Sequence, residues 1–170
     1  SNPDILPAAG ANGCNFSNDG NYLAVAYQAS PYIIIYKRNG DVFTKLSAPD
    51  VLPTGTGIGC NFSSDNNYLA VAHQTSPYLT IYKRNGDVFT KLSNPDVLPT
   101  SHANGCDFSN NGNYLAVAHN ESPYITIYKR NGDVFTKLSN PDVLPTSIAN
   151  GCDFSNDGNY LAVAHQTSPY

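Results

Sequence analysis

The chain repeats itself every 46 residues, and this period constrains its fold more than any other feature. Four cysteines mark the period without a gap: Cys14, Cys60, Cys106 and Cys152. Residues 47–92 and 93–138 are identical at 34 of 46 positions, and residues 93–124 differ from residues 139–170 at 4 of 32. Repeats of this kind are typical of architectures in which each unit buries its apolar surface against its neighbours. Because the copies are nearly the same, the positions at which they differ are the more informative about function.

Each repeat reads as four short β-strands separated by turn residues. In the second copy, strands A to D are predicted at residues 59–63, 68–73, 78–83 and 88–92. β-Branched and aromatic residues fill these segments, and Gly, Pro, Asn and Asp lie between them. Asn85-Gly86 predicts a two-residue type I′ turn between strands C and D, since both residues tolerate positive φ angles. No apolar stripe with helical spacing extends over ten residues, so we expect an all-β fold.

Both faces of such a sheet carry apolar side chains. In strand B of the second copy, Leu69 and Val71 point to one side, while Tyr68, Ala70 and Ala72 point to the other. A sheet that is apolar on both sides must be covered on both sides, and stacking successive sheets around an axis achieves this. We therefore predict a β-propeller of four-stranded antiparallel blades, with one 46-residue repeat per blade.

The chain is predicted to form one partial propeller domain over residues 1–170. Its three full blades and one half blade fall at residues 1–46, 47–92, 93–138 and 139–170. The last of these contains only strands A and B. The first residues, Ser-Asn-Pro-Asp, read like the segment that follows strand D in later copies. Further blades are therefore expected from the same longer chain or, as a second choice, from a homo-oligomer.

Charge and composition exclude several classes of partner. The formal net charge is −4, and the nine Lys and Arg residues are divided equally among the three full repeats. This distribution offers no concentrated basic patch for nucleic acid or for an anionic membrane surface. No apolar run approaches the roughly 20 residues that a membrane helix requires. We expect no nucleic-acid partner and no membrane partner.

The residues capable of metal or thiol chemistry are interpreted as structural. Equivalent positions in adjacent blades are expected about 10 Å apart, which is too far for a disulfide or for shared zinc ligands. The cysteines are therefore predicted to be small buried residues of strand A. Residues 153–158, Asp-Phe-Ser-Asn-Asp-Gly, resemble the calcium loop of integrin-type propellers, but no further acid follows. We expect no metal, no cofactor and no catalytic residue.

Two segments of each copy resemble blades of a known class. Residues 16–26 and 154–164 read Phe-Ser-Asn-Asp-Gly-Asn-Tyr-Leu-Ala-Val-Ala, and residues 125–128 read Ile-Thr-Ile-Tyr. These segments resemble the second and third strands of WD-repeat-like propeller blades. The Trp-Asp pair of that class is replaced by Tyr-Lys, as in Tyr82-Lys83, so its hydrogen-bonded tetrad is not carried over. The repeat is most similar to propeller repeats of bacteriophage structural and tail-associated proteins, which implies a virion or another extracellular assembly as its location.

Differences between copies predict which surface binds a partner. In a four-stranded meander, the D–A segments and B–C loops share one rim, while the A–B and C–D turns share the other. Seven of the twelve differences between the second and third copies lie in the D–A segment or the B–C loop. The D–A/B–C rim is therefore the predicted binding surface. Its candidate residues are Tyr27, Thr56, Ile58, His73, His102, His119, Glu121, Ile148 and His165.

These observations favour a non-enzymatic module that binds a protein or a glycan through this rim. The alternative is a catalytic propeller of lactonase or glycosidase type with a site on the axis. An axial enzyme would break the repeat with one special set of polar residues. The axial asymmetry that the sequence offers is Asp107 and Asp153 against Asn15 and Asn61 in the other copies.

Overall fold

The computed structural model describes residues 2–168, which form fourteen β-strands and no helix. The first blade contains β1 Ala11–Phe16, β2 Tyr22–Tyr27, β3 Ile33–Asn39 and β4 Val42–Lys45. The second contains β5 Gly57–Phe62, β6 Tyr68–His73, β7 Leu79–Asn85 and β8 Val88–Lys91. The third contains β9 Ala103–Phe108, β10 Tyr114–His119, β11 Ile125–Asn131 and β12 Val134–Lys137. The half blade contains β13 Ala149–Phe154 and β14 Leu161–His165.

The strands form three four-stranded sheets and one two-stranded sheet, all antiparallel and in chain order. The predicted fold class, an all-β propeller with four-stranded blades, is confirmed. Strand B pairs with both A and C, as where Leu69 lies opposite Phe62 on one side and Tyr82 on the other. Residues 2–168 contain no helix able to span a bilayer.

Adjacent blades bury their apolar faces against each other. Tyr68, Ala70 and Ala72 of the second blade pack against residues of the third, which include Leu115 and Val117. The opposite face of the second blade packs in the same way against the first blade. The alternation in strand B therefore serves two interfaces, and each inner blade is covered on both sides, as the sequence predicts.

The innermost strands approach one another far more closely than the outer parts of the blades. A Cβ atom added at Gly13 would lie 2.8 Å from the carbonyl oxygen of Ile58 and 3.2 Å from the Cα of Gly59. The expected spacing of about 10 Å between stacked sheets is therefore wrong at the axis, because the blades converge there. The four cysteines are nevertheless free. Burial raises the pKa of the Cys60 thiol to about 12.

A polar latch joins each blade to the next at the A–B/C–D rim. The Tyr68 hydroxyl of the second blade donates to Asp133 Oδ1 of the third at 2.6 Å, and Lys83 Nζ lies 2.8 Å from Asp133 Oδ2. The Arg130 guanidinium lies 4.5 Å from the centre of the Tyr68 ring. The same contacts recur between the first and second blades, where they involve Tyr22, Lys37, Arg84 and Asp87.

Several local predictions were wrong by one or two residues, since strand C of the second blade spans Leu79–Asn85 rather than 78–83 and strand D ends at Lys91 rather than at residue 92. Asn85 pairs with Val88, so the C–D turn consists of Gly86 and Asp87 rather than Asn85 and Gly86. Gly86 has a φ of +58°, which suits the first central position of a type II′ turn. Strand A of the second blade begins at Gly57, because a β-bulge between Gly57 and Gly59 extends its pairing with strand B.

The connections lie on the two rims as predicted. The Thr54 hydroxyl of a D–A segment donates to the Ser76 carbonyl of a B–C loop at 2.8 Å, so these two connections share a rim. At the opposite rim, the Arg84 amide next to the C–D turn donates to the Asn67 carbonyl of the A–B turn at 2.8 Å. The blades thus present two chemically distinct surfaces at their two ends.

Candidate recognition surface

The D–A/B–C rim holds a row of different side chains on one repeated backbone frame. In every copy, the backbone amide of the first B–C loop residue donates to a carbonyl at the end of the D–A segment. The accepting residue lies two positions before Asn12, Ile58, Asn104 or Asn150 of strand A. The distance is 3.0 Å for Gln28 to Gly10 and 3.1 Å in the other copies. The accepting residues, which we call the variable row, are Gly10, Thr56, His102 and Ile148. The backbone position is constant, while the side chain is different in each of the four copies.

The B–C loops that support this row are held by hydrogen bonds along their length. In the second blade, the Tyr78 amide donates to the Thr75 carbonyl at 2.8 Å, and the His73 amide donates to the Tyr78 carbonyl at 2.9 Å. Tyr78 has a φ of +66°, a left-handed conformation that a bulky residue rarely adopts without support from its surroundings. Its ring packs on the cluster between the second and third blades. This B–C loop is therefore held in place by hydrogen bonds and by packing.

Four of the predicted site residues have accessible side chains on this rim. Thr56, His102 and Ile148 occupy the variable row and are half-buried, and Glu121 is exposed. Glu121 is adjacent to His102, since the Asn120 amide donates to the His102 carbonyl. Ile58 is half-buried inside strand β5 rather than in the segment before it. A partner can reach the exposed parts of these side chains, whereas the Nε2 atom of His102 is itself buried.

Three other predicted residues lie inside the blades. Tyr27 is 2% exposed, and His73 and His119 are 0% exposed. His119 Nε2 is 2.9 Å from Thr126 Oγ1, and its Nδ1 is 3.2 Å from Thr100 Oγ1. Burial lowers the pKa of both His73 and His119 to about 4. His165, at the same repeat position in the half blade, is half-buried.

The sequence contained a signal for this buried histidine arrangement. Three positions change together: the second and third copies have Thr, His and Thr, as at Thr100, His119 and Thr126. The first copy replaces all three by Ala8, Tyr27 and Ile34. Tyr27 and Ile34 belong to one apolar cluster, so the polar set is exchanged for an apolar one as a unit. The joint change distinguishes a packing unit from independent surface substitutions.

A second polar feature follows the axis toward the opposite rim. Each blade contributes one residue of strand A to a polar row along the axis, Asn15, Asn61, Asp107 and Asp153, in which the first three side chains hydrogen-bond to the next blade. Asn15 Oδ1 accepts from the Phe62 amide of the next blade at 2.9 Å, and Asn61 Oδ1 accepts from the Phe108 amide at 3.0 Å. The row thus joins the innermost strands to each other.

This axial row borders a polar cavity of about 210 Å³ that opens on the A–B/C–D rim. Further lining residues that sequence reasoning did not identify are Asn18, Ser64, Asn110 and Asn156. Asp107 Oδ1 accepts from Asn61 Nδ2 at 2.9 Å, and Asp107 Oδ2 accepts from the Phe154 amide at 2.7 Å. Burial, together with the nearby charge of Asp153, raises the pKa of Asp107 to about 6. Both oxygens of this carboxylate are therefore engaged in holding two blades together.

The raised pKa predicts that Asp107→Asn has a pH-dependent effect on stability. The folded chain binds the Asp107 proton more tightly than the unfolded chain, so its contribution to stability is full below about pH 3.8 and is lost as the pH rises through 6. Relative to the wild type, Asp107→Asn should gain up to about 2 kcal/mol between pH 4 and pH 7. Urea unfolding at several pH values measures this difference. A difference that is flat over this range, or falls, would contradict the assignment.

No grouping of three or more His, Cys, Asp or Glu side chains suited to a metal ion occurs within residues 2–168. The two acids of the axial row are accompanied by amides, and the buried histidines contact threonine hydroxyls. The donor set of both features is therefore that of a hydrogen-bonded framework.

The fold is similar to solved propeller structures. A candidate 6-phosphogluconolactonase from Bacteroides uniformis matches with a TM-score of 0.73 and 17% identity over 91% of this chain and 47% of its own. A second, from Bacteroides fragilis, matches with a TM-score of 0.73 and 18% identity over 94% and 43%. Hydrazine synthase from Kuenenia stuttgartiensis matches with a TM-score of 0.74 and 14% identity over 98% and 45%. The chain thus spans less than half the length of these proteins.

No family model and no curated protein matches the sequence. The structural matches are below 20% identity, so they show the fold alone. Their greater length is consistent with further blades beside the ones described.

Proposed function

We propose that the protein is a non-enzymatic recognition module, which binds a protein or a glycan through its D–A/B–C rim. The observation that carries this proposal is the variable row. Gly10, Thr56, His102 and Ile148 share one backbone hydrogen bond and have four different side chains. A repeat protein can change its binding specificity at such positions without disturbing its fold, because the backbone does not depend on the side chain there.

The rigidity of the supporting loops also favours recognition. A surface held in one conformation by its own hydrogen bonds loses little conformational entropy when it binds a partner. The Thr100 hydroxyl lies 3.2 Å from the Ser122 carbonyl, and the Ser101 hydroxyl accepts from the Glu121 amide at 2.9 Å. These contacts fix the loop that presents Glu121 beside His102.

The alternative function is a catalytic propeller of lactonase or glycosidase type, with its site in the axial cavity. The cavity with Asp107 and Asp153 is the observation in its favour. A general base needs a carboxylate oxygen free to reach a substrate proton, whereas both oxygens of Asp107 hold neighbouring groups. The name 6-phosphogluconolactonase belongs to the two similar Bacteroides proteins and does not assign that activity to this chain. We therefore place the recognition module first.

An immobilised glycan array, probed with the intact chain and three variants, tests the proposal. The rim variant combines His102→Ala and Glu121→Ala. The axial variant combines Asp107→Asn and Asp153→Asn, and Asn85→Ala changes an exposed residue at the opposite rim. We expect the rim variant to lose roughly tenfold or more in affinity, as for central residues of an interface. The axial and opposite-rim variants should bind as the wild type does.

The same samples distinguish the two functions. Release of product from a lactone or glycoside substrate that is abolished in the axial variant would replace the proposal by the catalytic alternative. Retention of binding by the rim variant, with loss in Asn85→Ala, would move the binding surface to the other rim. A location on a phage virion or in another extracellular assembly is part of the proposal. It rests on the resemblance of the repeat sequence to propeller repeats of bacteriophage structural and tail-associated proteins.

A further inference from the structure

The variable row and the first residues of the B–C loops form a continuous band that crosses from blade to blade. Within the second blade, the backbone amide of Gln74 donates to the Thr56 carbonyl at 3.1 Å. The Thr56 hydroxyl in turn donates to the Gln28 carbonyl of the first blade at 3.3 Å. Residues of the variable row therefore alternate along the band with B–C loop residues, so one ligand can contact two blades at once.

Every copy places a side-chain amide in this band, at the first position of the B–C loop. The Gln28 amide group lies over Gly10, since a Cβ atom added at Gly10 would be 3.2 Å from Gln28 Cδ. Asn120 Oδ1 accepts from Asn104 Nδ2 at 2.6 Å, which leaves the Asn120 amide nitrogen as the donor of that side chain. The three glutamines at this position are exposed. The four residues, which we call the amide set, are Gln28, Gln74, Asn120 and Gln166.

The band carries almost no charge. None of the nine Lys and Arg residues lies in a D–A segment or a B–C loop. Glu121 is the one acid in the B–C loops of the described residues, and burial lowers the pKa of His102, so its imidazole is uncharged at neutral pH. Asp4, Asp50 and Asp96 of the D–A segments instead accept from backbone amides of strand D at 2.8 to 2.9 Å. An anionic ligand would therefore meet no ammonium or guanidinium group on the band.

The lysines that end strand D belong to the outermost strand of each blade. Lys91 Nζ donates to the Leu92 carbonyl at 3.0 Å and to Asn94 Oδ1 at 2.8 Å. Lys137 Nζ makes the same two contacts in the third blade. These ammonium groups are thus bound at the circumference of the propeller.

The band also lacks the side chains that anchor most protein interfaces, which are chiefly Trp, Arg and Tyr. The chain contains no Trp, and its Arg residues belong to strand C at the opposite rim. The rings of Tyr78 and Tyr124, at the ends of two B–C loops, pack on clusters between blades. The groups that remain are side-chain amides, each of which both donates and accepts, as does each hydroxyl of a sugar.

We propose that the ligand of this rim is an uncharged glycan, whose neighbouring hydroxyl groups hydrogen-bond to the amide set. Since it names the ligand class of the same rim, this proposal rests on the proposed function. A carboxamide presents an acceptor oxygen and a donor NH₂ group side by side, which complements two adjacent hydroxyls. The variable row then gives successive sugar units different neighbours: the Thr56 hydroxyl, the His102 ring and the apolar Ile148.

An array of matched glycans, in which each uncharged oligosaccharide is printed beside its sialylated and sulfated forms, tests the ligand class. We expect the wild type to bind uncharged members, and to bind oligosaccharides more tightly than single sugars because the band crosses blades. An added anionic group should not strengthen binding. Raising NaCl from about 0.05 M to about 0.5 M should change the affinity by less than about twofold, because salt screens interactions between charges.

The variant that combines Gln28→Ala and Gln74→Ala should lose about tenfold in affinity, because two neutral hydrogen-bonding groups are removed. The matched control combines Asn39→Ala and Asn85→Ala, which remove two exposed amides from the opposite rim. This control should bind as the wild type does. Both double variants keep the net charge, and their melting temperatures show that both are folded.

Absence of binding to uncharged glycans, binding confined to sialylated or sulfated forms, or capture of a protein alone would overturn the proposal. So would equal binding by the wild type and by the Gln28→Ala, Gln74→Ala variant. The variant that combines His102→Ala and Glu121→Ala separates this result from the proposed function. Its loss of binding to whichever ligand is found would uphold the rim as the recognition surface, whereas its retention of binding would refute the rim as well.

Discussion

Gly13→Ala is expected to destabilise the folded chain by about 2 kcal/mol, as overpacking of a close-packed interior does. The added methyl group would lie 2.8 Å from the Ile58 carbonyl oxygen and 3.2 Å from the Cα of Gly59. Both atoms belong to the backbone of the neighbouring innermost strand, so no side-chain rotation can relieve the contact. Urea unfolding measures the loss, which corresponds to a fall in melting temperature of roughly 5 °C.

Gly151→Ala is the matched control for this prediction. Gly151 occupies the same position of the repeat, but an added Cβ atom meets nothing within 4 Å among the described atoms. Its substitution should change stability by no more than about 0.5 kcal/mol, as for a site without close neighbours. Equal losses at Gly13 and Gly151 would show that strand propensity, and not the approach of the two blades, explains the glycine.

Stability should fall as the pH is lowered from about 6.5 to about 4. His73 and His119 have folded-state pKa values of about 4 against an ordinary value of 6.5, because burial disfavours the charged imidazolium. The unfolded chain therefore binds more protons over this interval, and stability is lost until the folded-state pKa is reached. Each histidine can contribute at most about 3 kcal/mol to this loss. Urea unfolding from pH 7.5 to pH 4 measures it.

His119→Gln isolates the contribution of one histidine. Carboxylates also titrate in acid, so the informative quantity is the difference in unfolding free energy between this variant and the wild type at each pH. That difference should be constant above about pH 7 and should shift in favour of the variant as the pH falls to 4. A constant difference throughout would mean that His119 is protonated equally in the folded and unfolded chain.

Much of the fold could be predicted because it follows from local patterns. The alternation of Tyr68, Leu69, Ala70 and Val71 assigns opposite faces to neighbouring residues, and the structure packs those faces on two different blades. Strand B was predicted at residues 68–73, which are the bounds of β6. The division into two rims followed from the meander alone, since connections between antiparallel strands alternate between the two ends of a sheet.

The site was predicted less completely, because side-chain exposure depends on distant neighbours. Thr56, His102 and Glu121 have accessible side chains on the predicted rim, whereas His73 and His119 are enclosed between strands and threonine hydroxyls. A histidine at the end of a strand can face either environment, and the strand pattern does not distinguish them. Whether the rim binds a partner stays a prediction.

The 46-residue period, the four strands of each blade and the apolar character of both their faces can be read from the amino-acid sequence. These properties depend on turn residues and on side-chain alternation, which are local. The environment of each copy of the same residue, in contrast, depends on tertiary packing. Cys60 is buried against the first blade while Cys14 is exposed, and Tyr68 binds a carboxylate that Tyr114 lacks within the described residues. Identical repeats differ in this way because burial and pairing depend on which blade lies beside them in the stack.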